Sequence, residues 1–484
     1  MDQQEAQVRL AQMGVFVLSG LSKGSEFGLD GKMWQVDAFS GVKFLPPGLH
    51  FFVFSAAPSA AQQAHLGADN SSGGGVGVRH GILRFFLGGE RVVEEWDNAR
   101  EELKRDGTAR SSKRRRVVEG RQEAEETVVS DDYLKSLDKQ LAPYPVEDLA
   151  STWSALTGFI TEQTLARVVG LDSHACGLVD ALTASSMDEH GAGPDGVAAT
   201  AGASARRTWG KEREDEPQIR EVVDEEEEEG AEPEAYVPED RLEFVRFEEK
   251  RSWPKGAVGE ELTRWSKDKS WQLSEVVRDQ LGDDPKELLA ELQLSFILFS
   301  LLHNFSSLTV YKALFSLLCR SSTLAHPPSS RSSTTLPSPT LNSASLPLFA
   351  SFLALFHAQL AFLPDDFFTT QLPSLEQHLL DSLAALSNAL SDALPAWTAA
   401  GETDAAIAEV WKEVIKRWDA LAQLAMGKFG WDLGVVKGSR ARYTVAEGRA
   451  KREEDEVDLE DLEEGEDAPV IMDEEGLYIN SDDY

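Results

Sequence analysis

Short apolar runs, punctuated by Gly, Asp and Pro, fill the first hundred residues. "GVFVL" (Gly14 to Leu18), "MWQV" (Met33 to Val36), "LHFFVFS" (Leu49 to Ser55), "GILRFFL" (Gly81 to Leu87) and "RVVEEW" (Arg91 to Trp96) are rich in β-branched and aromatic side chains. Such runs suit a pleated, half-buried surface and predict a compact antiparallel sheet or sandwich. Gly88-Gly89 can supply the positive φ angles of a two-residue turn, which predicts a hairpin between the last two strands. In "GVKFLPPGLHFFVFS" (Gly41 to Ser55) the double proline imposes extended backbone at Leu45 and Pro46. Gly48 then permits a turn that aims the next strand. Helices are predicted at 131–141 and 146–169, with Pro143-Tyr144-Pro145 as the break between them.

The second half changes period. From Ile407 the apolar positions Val410, Trp411, Val414, Ile415, Trp418 and Leu421 recur on one helix face, with Lys412, Glu413, Lys416 and Arg417 opposite. Leu379, Leu383, Leu386, Leu390 and Leu394 form another stripe, predicted to stop at Pro395. Leu288 to Leu302 is apolar nearly all round and reads as a central buried helix. Tyr311 to Leu318 and Leu348 to Leu360 add two more, so the expectation is an α-helical bundle or superhelical domain.

Polar and biased segments separate these parts. They are 56–75, 185–235 with its acidic run Asp224 to Glu229, and the tail from Gly438, which carries eleven acidic residues between Glu453 and Asp467. Low hydrophobicity with high charge does not offset chain entropy, so these are expected to be disordered. Ser321 to Ser345 reads as a flexible Ser/Thr/Pro loop. The fold class is therefore α+β with two domains. Residues 1–170 form an antiparallel β-rich, sandwich-like domain with following helices. Residues 171–235 are an acidic disordered linker, 236–437 an all-α domain and 438–484 an acidic tail.

Charge narrows the function. The 484 residues carry a formal net charge of −36, which repels phosphate backbones, so no direct nucleic-acid ligand is expected. The two cysteines, Cys176 and Cys319, exclude a disulfide framework and fit a reducing compartment. The amino terminus lacks a basic start and a long apolar core, so no signal peptide is expected. The longest apolar run, near Leu292 to Leu302, is short of a membrane span, and no membrane partner is expected.

Chemistry is sparse. None of the nine histidines lies at i, i+4 from another and neither cysteine has a CxxC partner, so no zinc motif exists. "GLDGKM" (Gly28 to Met33) lacks phosphate-loop spacing, and "GGGVGVRHG" (Gly73 to Gly81) lacks that of a dinucleotide fingerprint. No catalytic, cofactor-binding or metal residue is assigned, and no cofactor. His50, flanked by Leu49, Phe51 and Phe52, is either a satisfied structural histidine or the acid/base of a small-molecule enzyme built on the β-rich domain. Lys113 to Arg116, "KRRR", is either a nuclear-import signal or a solvated loop. Ser130 and Ser481 precede acidic pairs, as acid-directed kinases prefer. In the tail, Val470-Ile471-Met472 and Leu477-Tyr478-Ile479 are β-favouring clusters too short to fold alone. They are either part of a disordered terminus or strands that add to a partner's sheet.

Several blocks resemble one family. "KGSEFGLDGKMWQV" (Lys23 to Val36) and "FSGVKFLPPGLHFF" (Phe39 to Phe52) resemble the amino-terminal signature of the Aar-two family, the a1-cistron splicing factors. "LAPYPVEDLASTWSALTGFIT" (Leu141 to Thr161), "RLEFVRFEEKRSWP" (Arg241 to Pro254), Glu287 to Ser321, "LPDDFF" (Leu363 to Phe368) and "KFGWDL" (Lys428 to Leu433) are similar to its later motifs, in order. The long loops and the acidic tail depart from it. The resemblance implies a β-rich domain, a linker and a helical domain. It also implies a non-catalytic assembly factor of the U5 small nuclear ribonucleoprotein, acting in nucleus and cytoplasm. Such a factor would bind the Prp-eight scaffold protein in a precursor particle, compete with the Brr-two helicase and leave before the particle matures.

Overall fold

The computed structural model describes residues 12–37, 39–57, 77–98, 100, 102–104, 131–172, 174–188, 241–328, 336–434 and 436. The β-rich part is two facing five-stranded sheets. The first holds β1 (Gly14–Ser19), β4 (Gly41–Leu45), β7 (Arg91–Asp97), β8 (Glu102–Leu103) and β9 (Leu141–Pro143), in the order β8-β7-β1-β4-β9. The second holds β2 (Glu26–Leu29), β3 (Lys32–Gln35), β5 (Gly48–Ser55), β6 (His80–Phe86) and β10 (Gly177–Asp180), in the order β10-β6-β5-β2-β3. Phe16, Leu18, Val42 and Trp96 from one sheet meet Phe27, Phe52, Phe54 and Phe86 from the other, and Phe16 stacks on Phe52 with ring centroids 3.8 Å apart. The sandwich is as expected, and the second sheet is wholly antiparallel. The first is mixed: β1 runs parallel to β7, and β4 parallel to β9.

The two proline and glycine turns move the chain between sheets. Pro46-Pro47 takes it from β4 in the first sheet to β5 in the second. Gly88-Gly89 takes it back from β6 to β7, so the hairpin expected there does not form. The local need is the same, with Gly89 at φ 75°. What differs is that Ile82 and Phe86 face Val92 and Trp96 across the core instead of along one sheet. An Arg84–Glu90 ion pair, with Glu90 also accepting from the Leu87 main chain, holds the crossing. At Gly41 (φ 146°) a Cβ would lie 2.1 Å from the Phe16 carbonyl oxygen, so the close β1–β4 approach there requires glycine.

Helices flank the sandwich. α1 (Asp131–Leu137) covers Val15 and Val17 on the outer face of the first sheet. The helix expected over 146–169 is two, α2 (Val146–Thr157) and α3 (Glu162–Val168). Thr161 and Thr164 form a reciprocal capping box that starts the second. The stretch assigned to linker from 171 remains folded to 188: β10 pairs with β6, and Ser185 bridges to Leu242. Ser186 and Met187 are buried there. The rest of the expected linker lies outside the described residues.

The helical part comprises α4 (Glu260–Lys267), α5 (Ser270–Gln280), α6 (Pro285–Leu302), α7 (Phe305–Cys319), α8 (Ser322–Ala325), α9 (Pro339–Phe362), α10 (Pro373–Thr403) and α11 (Ala405–Phe429). α6 is buried on nearly every side, as its unbroken apolarity predicts. Its core is continuous with Leu49, Phe51 and Val53 on the helix-facing side of β5. Two expectations are corrected. Residues 322–325 and 339–345 are helical rather than loop: Ser338 caps α9 and Pro339 takes its first turn. And α10 continues through Pro395, whose missing N–H and clash cost about 3 kcal/mol in a helix interior. Packing holds the helix beyond it: Trp397 is buried, donates its Nε1 to the Ala325 carbonyl and stacks on Trp411. α9 is long and apolar enough to cross a membrane by length and composition, yet it is mostly buried against its neighbours.

Candidate protein-interaction surface

The β5 strand places His50 inside the sandwich, 3% exposed. Its Nδ1 lies 2.7 Å from Asp30 Oδ2, and its Nε2 donates to the Pro46 carbonyl at 2.8 Å. Asp30 sits in the β2–β3 turn and also accepts from the Tyr144 hydroxyl (2.8 Å) and the Phe51 main chain (2.9 Å). Both partners of the imidazole are acceptors, so the ring donates from both nitrogens as imidazolium. Burial alone would lower its pKa; the Asp30 carboxylate and the Pro46 carbonyl outweigh it and hold it above the ordinary histidine value. Burial, with Asp30 beside it, pushes the Tyr144 phenol well up, so it stays a donor.

This arrangement is a clasp. It ties the β2–β3 turn, the Pro46 crossover and the start of α2 together. Both ring nitrogens are committed and the ring packs edge-on against Phe86 and Tyr144, which leaves it no face for a substrate. Of the two readings of His50, the structure supports the satisfied one. The thiols are equally inaccessible. Burial, with Asp172 nearby, pushes Cys176 up to about 12, and burial raises Cys319 well above its usual value, so neither is a nucleophile at neutral pH. Among the described residues no group of three His, Cys, Asp or Glu side chains is placed to hold a metal ion.

The described surface offers contact groups instead. β3 is an edge strand. Val36 donates to the Ser25 carbonyl, so the hydrogen-bonded pairs with β2 fall at Trp34 and Lys32. The main-chain groups of Met33 and Gln35 therefore face away from the sheet. Trp34 is 38% exposed there, with Lys32 Nζ 5.8 Å from its ring centroid and 2.9 Å from Asp148. A second patch joins the two halves of the fold. Asn304 Nδ2 donates to the carbonyls of Asp180 (3.0 Å) and Thr183 (2.8 Å). This fixes the turn after β10 beside the start of α7, where Leu182 is 69% and Phe305 73% exposed. Large apolar side chains held in water this way are the usual anchors of a protein interface.

The residues singled out in the sequence for binding or modification are not gathered by the structure. Val470, Ile471, Met472, Leu477, Tyr478, Ile479, Ser130, Ser481 and Lys113 to Arg116 all lie outside the described residues. Conversely, Asp30 and Tyr144 escaped sequence reading as partners of His50. The turn "LDG" and the break "PYP" marked their backbones but not their side-chain roles. Leu182 and Phe305 belong to no periodic pattern and carry no sequence signal.

Comparison with known proteins covers both halves. The family model described as the AAR2 N-terminal domain matches residues 12–170, and that described as the AAR2 C-terminal repeat region matches 244–434. Curated relatives include Protein AAR2 homolog of Homo sapiens, 27% identical over 333 residues, covering 66% of this chain and 73% of the relative. The Mus musculus homolog is 28% identical over 324 residues, with the same coverages. The Caenorhabditis elegans homolog is 32% identical over 159 residues, 32% of this chain and 35% of the relative.

Proposed function

The chain belongs to the AAR2 family, and on that premise we propose that it is a non-catalytic pre-mRNA splicing factor, an assembly chaperone of the U5 small nuclear ribonucleoprotein. It binds the Prp-eight scaffold protein in a precursor particle, competes with the Brr-two helicase for it, and divides its time between cytoplasm and nucleus. The observation that carries the reading is the ordered match of both family models along one chain. The committed His50 and the inaccessible thiols agree with it, since neither leaves an open reactive group. So does charge. A partner with a net charge of −36 is drawn to basic, RNA-binding surfaces of a client and shields them until RNA arrives.

The test uses the purified full chain and the purified scaffold protein. The two co-elute as one complex at physiological salt, and added helicase lowers the fraction bound. Separate elution at both low and physiological salt overturns the proposal.

A further inference from the structure

In so acidic a chain, unpaired cations gathered on one surface call for an explanation. Lys312 and Ser316 on α7 and Arg320 at its C-terminal cap recur every four residues along one face, spanning about 12 Å along the helix axis. Two neighbours close on that face. Lys269 donates its main-chain N–H to the Arg320 carbonyl at 3.0 Å, and His378 of α10 donates its Nε2 to the Lys312 carbonyl at 2.9 Å. Lys269 Nζ is held by neutral acceptors, the Glu249 carbonyl and the Ser252 hydroxyl, both at 2.8 Å. No ion pair joins Lys269, Lys312 or Arg320 to a carboxylate among the described residues. The nearby Asp268 carboxylate is occupied by Ser270 and Thr323.

We propose that Lys269, Lys312, Ser316 and Arg320 form a binding site for a phosphorylated segment of a partner protein. Arg320 by itself has a structural explanation, since the carbonyl end of a helix favours a cation. That does not cover Lys312, two turns earlier, or Lys269 on another element. Among the described residues, Glu249 is the one carboxylate whose field reaches both Lys269 and His378. Set against that one carboxylate, the charges of Lys269, Lys312 and Arg320 leave an excess of two, which matches the charge a phosphoryl group carries near neutral pH. A planar guanidinium, two ammonium groups and a hydroxyl suit its oxygens. A nucleic-acid strand fits less well: its next phosphates would run against exposed Glu248 and Glu249 and the field of the whole chain. The crowding of like charge is felt by the site's own groups. Burial first, then Arg320, lowers Lys269; burial first, with the Lys312 and Arg320 charges adding, lowers His378 against the hydrogen bond to the Lys312 carbonyl and the Glu249 charge.

The experiment uses the full chain and a neutral serine peptide, phosphorylated or not, with inorganic phosphate and a single-stranded RNA oligonucleotide as further probes. The phosphopeptide binds at least about tenfold more tightly than its unmodified counterpart, and inorganic phosphate displaces it. Arg320→Gln and Lys312→Gln, at exposed or half-exposed positions, each weaken it about tenfold while leaving the melting temperature unchanged. Binding also moves the His378 titration upward, as a nearby anion requires. Equal affinity for the two peptides, no effect of either substitution, or RNA that binds more tightly and displaces the phosphopeptide overturns the proposal. None of these outcomes depends on the scaffold protein, so this site stands or falls apart from the splicing role.

Discussion

His50 Nδ1 and Asp30 Oδ2 lie 2.7 Å apart in the interior of the sandwich, twenty residues distant in sequence. A buried pair of this kind is costly to break from one side, because the remaining charge is left uncompensated.

Asp30→Asn therefore destabilises the fold by about 3–5 kcal/mol near pH 6. The pH dependence has a definite sign. The folded histidine pKa is raised, so the stabilisation is complete below the unfolded value of about 6.5 and is lost as pH rises through the folded value. Urea melts of wild type and Asp30→Asn at pH 6 and at pH 9 check this. The gap between them narrows at the higher pH, and a gap that widens refutes the assignment.

The Arg167–Glu291 pair joins α3 to α6, with Glu287 and the Val245 main chain completing the site. Burial raises Glu291 against the pull of Arg167. Arg167→Ala leaves the carboxylate buried and unpaired, at a cost of about 3–5 kcal/mol at neutral pH. A raised carboxyl pKa means that folding favours its protonated form, so acid relieves the defect. Denaturation at pH 7.5 and pH 4.5 shows the deficit of the variant shrinking at the lower pH.

Trp411 is buried on α11 and stacks on Trp397 of α10, ring centroids 5.8 Å apart. Trp411→Ala opens a large cavity and costs about 3–5 kcal/mol. Calorimetry reads this as a lower melting temperature. A variant that keeps its melting temperature but loses the partner would make this stripe an interface.

These cases mark what sequence reading reaches. The α11 stripe and the all-apolar α6 were legible because burial on a helix repeats with its period, and both helices are where the pattern places them. β5 was legible as a strand because both its faces are buried, yet its sheet was not. The Gly88-Gly89 turn has the same local chemistry whether the chain folds back beside itself or crosses to a facing sheet. Only the long-range match of Ile82 and Phe86 with Val92 and Trp96 decides. Pro395 failed as a stop signal for the same reason: a local cost of about 3 kcal/mol is outweighed by the packing of Trp397. His50 was visible, but its character came from Asp30 and Tyr144, and no spacing announces partners 20 and 94 residues away.

The tail supplies the last prediction. Val470-Ile471-Met472 and Leu477-Tyr478-Ile479 follow an acidic run, and under the proposed function the sheet they would join as added strands is that of the scaffold protein. Each cluster is too short to hold a strand alone, but an existing sheet edge supplies the missing main-chain partners. On that reading the acidic run would act as a tether that raises the local concentration of the clusters and steers them toward basic surface. Deleting 468–484 then weakens binding to the scaffold protein by about tenfold or more, mostly through faster dissociation. Neutralising 453–467 while keeping the clusters lowers the association rate instead, and the loss fades at high salt as screening removes the steering. Surface plasmon resonance separates the two rates. An unchanged dissociation constant for the deletion at low and physiological salt would sink the idea.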